Sequence, residues 1–207
     1  MAERYGRTSS YTSWCAPHLV ANALDLLEKE LPRYKGRIRS VHLCFSTDPF
    51  MVGYPEVTRL SLAILERLAL ENIPCSMLTK GILPCELADE KRFGAQNTHG
   101  ISLVSLDEDF RRKWEPGAAP YRERIAALRY LHDKGRKTWV HMEPYPTPNI
   151  VRQDIRDILD SIAFVDSISF SGWNYNPIVR RYPGFRSFYA EQEKIVEKYR
   201  GIHDGSC

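Results

Sequence analysis

No stretch of this 207-residue sequence approaches the roughly 20 apolar residues that a membrane-crossing helix needs, so no spanning segment is expected. The opening stretch MAERYGRTSSYTSWC has no apolar centre and no cleavage pattern, so no secretory leader is expected there, and the expected location is cytoplasmic. Charge of one sign is not in excess. Lys and Arg total 29 against 26 Asp and Glu, and the net charge of +3 leaves no electrostatic footprint for nucleic acid or a membrane. Cysteine is sparse, with five residues at Cys15, Cys44, Cys75, Cys85 and Cys207. None of them form a C-x2-C pair, which excludes a zinc ribbon, and no other metal-ligand pattern is present. The odd count and wide spacing argue against a disulfide framework and for reduced, mostly packed thiols. A P-loop, G-x-G-x-x-G, H-E-x-x-H and G-x-S-x-G are all missing, so motifs give no support to an NTPase or a dinucleotide-dependent dehydrogenase.

What is present is an ordinary globular composition, 43% hydrophobic and 27% charged. At roughly 150 residues per domain, the length gives one domain over residues 1–207. Residues 1–14 are expected to be irregular, and residues 185–207 to form a C-terminal helix and tail. No internal repeat or low-complexity linker divides the chain.

Five β-rich runs stand at residues 40–45, 73–78, 100–105, 137–142 and 166–171, each bounded by turn formers. Helical spacing fills the intervals. Leu19, Ala23, Leu27 and Leu31 recur every four residues, with Pro17 suited to a first turn. Pro55 opens a second helix through Val57, Leu60, Ile64 and Leu68, stopping near Asn72. A third runs from Pro120 through Ile125, Leu128 and Leu131 to Gly135. Ile155, Ile158, Leu159 and Ile162 mark a fourth, and Phe185, Phe188, Gln192, Ile195 and Tyr199 a last one. Over residues 85–93 the pattern supports only a short helix.

Strands separated by helices predict parallel pairing through right-handed crossovers. Side-chain alternation decides between the two α/β architectures. In the first run Val41, Leu43 and Phe45 share one face and His42, Cys44 and Ser46 the other; in the fourth, Thr138, Val140 and Met142 oppose Trp139, His141 and Glu143. A doubly wound sheet is covered on both faces and should be apolar on both. One apolar and one polar face instead fits a barrel with helices outside and a functional interior. The length is short of the about 250 residues of a closed eight-stranded barrel, so a partial, laterally open α/β barrel is predicted.

Sites in such folds lie at the carboxyl ends of the strands. Those ends read Ser46-Thr47-Asp48-Pro49, Thr79-Lys80-Gly81, Ser105-Leu106-Asp107, Glu143-Pro144-Tyr145-Pro146 and Gly172-Trp173-Asn174. Asp48 and Glu143 suit a ligand amine, Lys80 a carboxylate or phosphate, and Ser105 and Asn174 hydroxyls or amides. Turn and helix-cap roles compete for the Asp, Ser, Thr and Asn residues, and Lys80 is the one that capping explains least. His42 and His141 are candidate acid–base groups, and Glu143 with His141 a candidate pair. Arg180, Arg181 and Arg186 read as solvated surface.

The string Ser46-Thr47-Asp48-Pro49-Phe50, with Glu56 and Thr58-Arg59 following, resembles radical S-adenosylmethionine (SAM) proteins of the spore photoproduct lyase-like group. That group carries T-D-P at the end of its second strand and a T-R pair on the next helix. Thr79-Lys80 is similar to its T-K, and the segment from Ser102 to Asp107, Glu115-Pro116 and Arg124 to its S-x-x-T-x-D, E-P and R elements. Glu143-Pro144-Tyr145-Pro146-Thr147-Pro148-Asn149 and Trp173-Asn174-Tyr175-Asn176 resemble the E-P-Y-P-T-P-N and N-Y-N segments of one branch. The likeness runs from about Trp14 to Tyr199.

The resemblance implies a partial six-stranded (β/α) barrel that holds SAM across its strand ends. Ser46, Thr47 and Asp48 would stand toward the methionyl amine, Ser102 and Ser105 toward the ribose, and Lys80, Arg124 and Glu143 around the carboxylate or the substrate, with Asn174 closing the set. It implies a small-molecule cofactor, nucleic acid as a partner by analogy only, and a four-iron, four-sulfur cluster held by C-x3-C-x2-C. That triplet does not occur in these 207 residues. Two expectations follow: the chain is the barrel of a longer radical SAM enzyme whose first strand and cluster loop lie elsewhere, or it is a relative that binds SAM without a cluster. In both, these residues alone are not expected to cleave SAM reductively, because the cluster supplies the electron. A first strand paired on one side only is expected to promote self-association.

Overall fold

The computed structural model describes residues 10, 16–43, 47–173 and 175–204, with side chains described as far as residue 200. Strand and helix alternate along the chain. Helix α1 (Ala23–Tyr34) leads through a short 3-10 turn (Lys35–Arg37) to β1 (Val41–Leu43). Helix α2 (Pro55–Ala69) precedes β2 (Cys75–Thr79). A 3-10 turn (Cys85–Ala88) and α3 (Glu90–Phe93) precede β3 (Thr98–Ser102). Helices α4 (Glu108–Trp114) and α5 (Tyr121–Asp133) precede β4 (Lys137–Tyr145). Helix α6 (Ile155–Ser161) precedes β5 (Ser167–Gly172), and α7 (Pro177–Arg180) and α8 (Phe185–Asp204) follow it.

The five strands form one parallel sheet in the order β1-β2-β3-β4-β5. Sequential order without reversal is the winding of a barrel, not of a doubly wound sheet, whose order turns back on itself. This is the partial, open α/β barrel that the alternation predicts. Helices α2 and α5 start and stop close to where their sequences say. Pro55 occupies the first helical position of α2, where a missing N–H costs nothing, and Asn72 closes the turn beyond it at a φ of 54°. Gly135 takes a φ of 75° after α5.

One helical expectation is corrected, and one helix is added. The first helix starts at Ala23, not near Pro17, because Leu19 and Val20 are exposed and have no core to pack on. Helix α4 was not legible, since only Phe110 of its residues is fully buried; Asp107 starts it by accepting from the N–H groups of Asp109 and Phe110.

The two faces of the sheet differ as the alternation requires. Leu43, Met77, Ile101, Val140, Met142 and Ile168 are buried under the helices. The parallel register lines up the opposite face. Neighbour by neighbour across the strands, one row runs His42, Ser76, Thr98, a second Leu78, Gly100, Trp139, Ser167, and a third Ser102, His141, Ser169. This concave face is polar and partly open, and both Ser167 and Ser169 are exposed. Among the described residues no helix is long and apolar enough to cross a membrane.

Candidate functional site

Asp48 follows β1 and ties it to β2. Its Oδ1 accepts from the Phe50 N–H at 2.9 Å and the Thr79 hydroxyl at 2.5 Å, and its Oδ2 from the Lys80 N–H at 2.6 Å. Thr79 Oγ1 in turn accepts from the Gly81 N–H at 2.7 Å. Gly81 is obligatory here, because a Cβ would sit 1.8 Å from the Phe50 carbonyl oxygen. The T-D-P aspartate therefore holds two strand ends together with most of its acceptor capacity. Thr47 beside it is exposed, and Ser46 lies outside the described residues.

Lys80 heads a second network. Its Nζ donates to Glu115 Oε1 at 2.5 Å, and Glu115 Oε2 accepts from Arg124 Nη2 at 2.9 Å. Arg124 also donates from Nε to the Ala119 carbonyl and from Nη1 to the Ser102 carbonyl, each at 2.8 Å. Its guanidinium lies 4.8 Å over the Tyr121 ring, and the residue has no exposed surface. Burial pushes the Glu115 carboxyl up, but Lys80 and Arg124 more than offset it and hold Glu115 ionised below the usual range. All three of these Arg124 donors are thus turned to the protein. Lys80 keeps a 38% exposed side chain and does face the mouth.

Ser105 is also turned inward. Its hydroxyl donates to Gln153 Oε1 at 2.6 Å and accepts from the Asp107 N–H at 3.0 Å, while Gln153 Nε2 donates to the Val104 carbonyl at 2.8 Å. It is fully buried and braces the loop after β3 rather than lining a cavity. Gln153 has no strand-end position and no motif to reveal it in the sequence.

Strand β4 supplies the concave wall. Trp139, His141 and Glu143 alternate onto it, and His141 Nε2 lies 3.5 Å from Glu143 Oε2. Glu143 is exposed, at 45% of its side chain. The His141 pKa is lowered, first by burial and then by the charges of Lys80 and His42, against the opposing pull of Glu143. These four side chains therefore share one field. Gly100 makes room for the indole of Trp139, which lies 2.3 Å from where a Cβ would be. Two buried atoms of this wall, Trp139 Nε1 and His141 Nδ1, have no hydrogen-bond partner among the described residues. Buried polar atoms ordinarily have one, so the wall fits a ligand with polar atoms of its own.

Of the expected site residues, the structure gathers Lys80 and Glu143 about His141, with Ser102 the register neighbour of His141. Asp48, Ser105 and Arg124 stand behind them, and Asn174 lies outside the described residues. Cys75 is buried with its thiol pushed up to about 12 by burial, as packed thiols are, whereas Cys85 is exposed. Cys15, Cys44 and Cys207 lie outside the described residues.

The strand-end mouth on a partial parallel barrel has a counterpart in known proteins. The model of the radical SAM superfamily matches residues 16–162. The chain belongs to the radical SAM superfamily. Solved structures of spore photoproduct lyase share its fold. One is complexed with dinucleoside spore photoproduct (TM-score 0.62, 17% identity), and one is a mutant with bound AdoMet and the same dinucleoside (TM-score 0.63, 18% identity). Each covers 86% of this chain and is itself covered to 63%. An uncharacterised protein of Acidianus two-tailed virus is 28% identical over 152 residues, 72% of this chain and 49% of the viral protein. The chain thus spans about half the length of that curated relative.

The superfamily uses SAM and an iron–sulfur cluster. The mouth, with half-buried Lys80, exposed Glu143 and two unpartnered wall atoms, fits SAM. The cluster does not fit the described residues: no group of three His, Cys, Asp or Glu side chains among them could hold a metal ion. Such a cluster needs thiolates, and burial keeps the Cys75 thiol protonated.

Proposed function

We propose that this chain is the SAM-binding barrel of a radical SAM protein, with SAM held across the concave mouth. The observation that carries the reading is that opposite charges, half-buried Lys80 and exposed Glu143, both act on His141 in a member of this superfamily. SAM presents a carboxylate, an ammonium, a sulfonium and ribose hydroxyls. Lys80 takes the carboxylate and Glu143 the cationic part. Ser102, Thr47, Ser46 and Asn174 take the remaining polar groups, and the Trp139 face takes the adenine. Asp48, Ser105, Glu115 and Arg124 fix these groups in place without touching the ligand. In the superfamily the chemistry SAM would supply is a 5′-deoxyadenosyl radical, formed with methionine when an iron–sulfur cluster gives SAM one electron, and that radical would abstract hydrogen from a substrate. No electron-transfer step is assigned to this chain, because the described residues do not hold a cluster.

Calorimetric titration of the 207-residue chain with SAM in iron-free buffer tests the reading. Saturable binding is expected. Lys80→Ala should weaken it about tenfold or more, the loss of one charge-assisted hydrogen bond. Heat without saturation, or a Lys80→Ala variant that binds as well, overturns the proposal.

A second reading is a SAM-binding module without radical chemistry, which agrees with the lack of any group of three metal-ligating side chains among the described residues. Anaerobic reconstitution with iron and sulfide separates the two. A paramagnetic cluster perturbed by SAM supports the enzyme, and SAM binding by protein that stays colourless supports the module. Nucleic acid as a substrate rests on the fold shared with the lyase alone; the net charge of +3 adds nothing to it.

A further inference from the structure

An open cleft of about 610 Å³ lies where α7 meets the start of α8, lined by Arg180, Phe185, Arg186, Tyr189, Ala190 and Glu193. It is fastened to the strand ends. The Tyr189 hydroxyl donates to the Tyr145 carbonyl at 2.8 Å and accepts from the Trp173 N–H at 3.0 Å. Its ring packs on Gly172, where a Cβ would come within 2.8 Å. Helix α7 is pinned as well. Asn149 Nδ2 donates to the Ile178 carbonyl, and the Asn176 side chain accepts from the Ile178 N–H, both at 2.8 Å. Arg180 and Tyr189 therefore project from anchored backbone.

The two arginines of the cleft leave their guanidinium groups open to a ligand, unlike the arginines committed to carboxylates. Arg67, Arg92, Arg111, Arg124 and Arg136 each hold a carboxylate. Among the described residues neither Arg180 nor Arg186 makes an ion pair or a side-chain hydrogen bond; Arg186 lies 5.8 Å over the Phe185 ring. The cleft is also polarised. Glu193 stands seven residues beyond Arg186 on α8, about 10 Å along the axis at 1.5 Å per residue. One end is cationic, the middle is aromatic, and the far end is acidic. That sequence of groups matches a nucleotide better than a bare anion.

We propose that this cleft binds a nucleoside monophosphate. Arg180 and Arg186 grip the phosphate, since the guanidinium fork matches its oxygens. The Phe185 and Tyr189 rings carry the nucleoside, and Glu193 accepts from a sugar hydroxyl or a base amine. None of its lining residues is among those assigned to SAM, and the proposal does not depend on the SAM reading.

Titration of the full chain with UMP, uridine and inorganic phosphate tests it, UMP being chosen because it lacks the adenine of SAM. UMP should bind about tenfold or more tightly than either fragment. Arg180→Gln with Arg186→Gln should remove that advantage, and Glu193→Gln should weaken UMP but not phosphate. All three side chains are exposed, so the variants should fold, and their SAM titrations should match that of the unsubstituted chain. UMP no tighter than phosphate overturns the nucleotide assignment. UMP binding that survives the arginine substitutions overturns the site.

Discussion

Arg124 carries a full charge with no exposed surface, which is tolerable only because every face of its guanidinium has a partner. Removing one member of such a pair leaves the other buried and uncompensated. Arg124→Ala is expected to cost about 3–5 kcal/mol in urea unfolding. Arg124→Met with Glu115→Gln should recover part of that loss, because no bare charge remains. A second buried group sets the acid limit. His99 donates from Nδ1 to the Lys137 carbonyl, and burial, with help from Arg136, lowers its pKa from 6.5 to about 4. Between those values the unfolded chain binds the extra proton, so stability falls as pH drops from 6.5 to 4. On the order of 3 kcal/mol is at stake over that window. His99→Gln should flatten the dependence there, as read from melts across that range. Glu115 adds loss at lower pH, since its folded pKa is depressed and its contribution disappears as the medium falls through that value. The sequence marked Glu115 and Arg124 as a set but not as a buried one. Glu115 lies in a loop with no alternation to read, and Arg124 shares the buried stripe of α5 with Leu128 and Leu131, where its charge argued for the surface.

At the scale of elements, glycines decide how closely strands and loops approach. A methyl at Gly81 meets backbone, the Phe50 carbonyl, which cannot swing away. A methyl at Gly100 meets the Trp139 indole, which can. Gly81→Ala should therefore destabilise by about 3 kcal/mol or more, the upper end of overpacking costs, and Gly100→Ala by less. Gly100→Ala should instead shift tryptophan fluorescence and weaken any ligand of the concave wall. Most elements were legible because periodicity is strong over long segments. Helices α2 and α5 carry an apolar stripe and end at Asn72 and Gly135, both at positive φ. The strand starting at Lys137 extends to Tyr145, beyond its expected end at residue 142, through a register shift that no local pattern announces. Helices α4 and α7 are too short to show a period at all.

At the scale of the molecule, opposite polarity on the two faces foretold the barrel, and the sequential strand order agrees with it. The mouth was legible as a set of strand ends. Which of those side chains face outward was not, because that depends on partners such as Gln153 and Glu115 that approach from distant segments. Among the described residues β1 and β5 each pair on one side only. Light scattering of the purified chain should show mass rising with concentration, since an edge with free N–H and C=O groups recruits another. Monodisperse monomer across that range would refute this.

The exposed hydroxyls of Ser167 and Ser169 mark the rim beyond which the curved wall does not continue among the described residues. Among the described residues the interior is a trough and not a closed cylinder. A molecule far too bulky to thread a tube can lie across it, leaving most of its mass in solvent and lowering only one reactive corner onto Trp139 and His141.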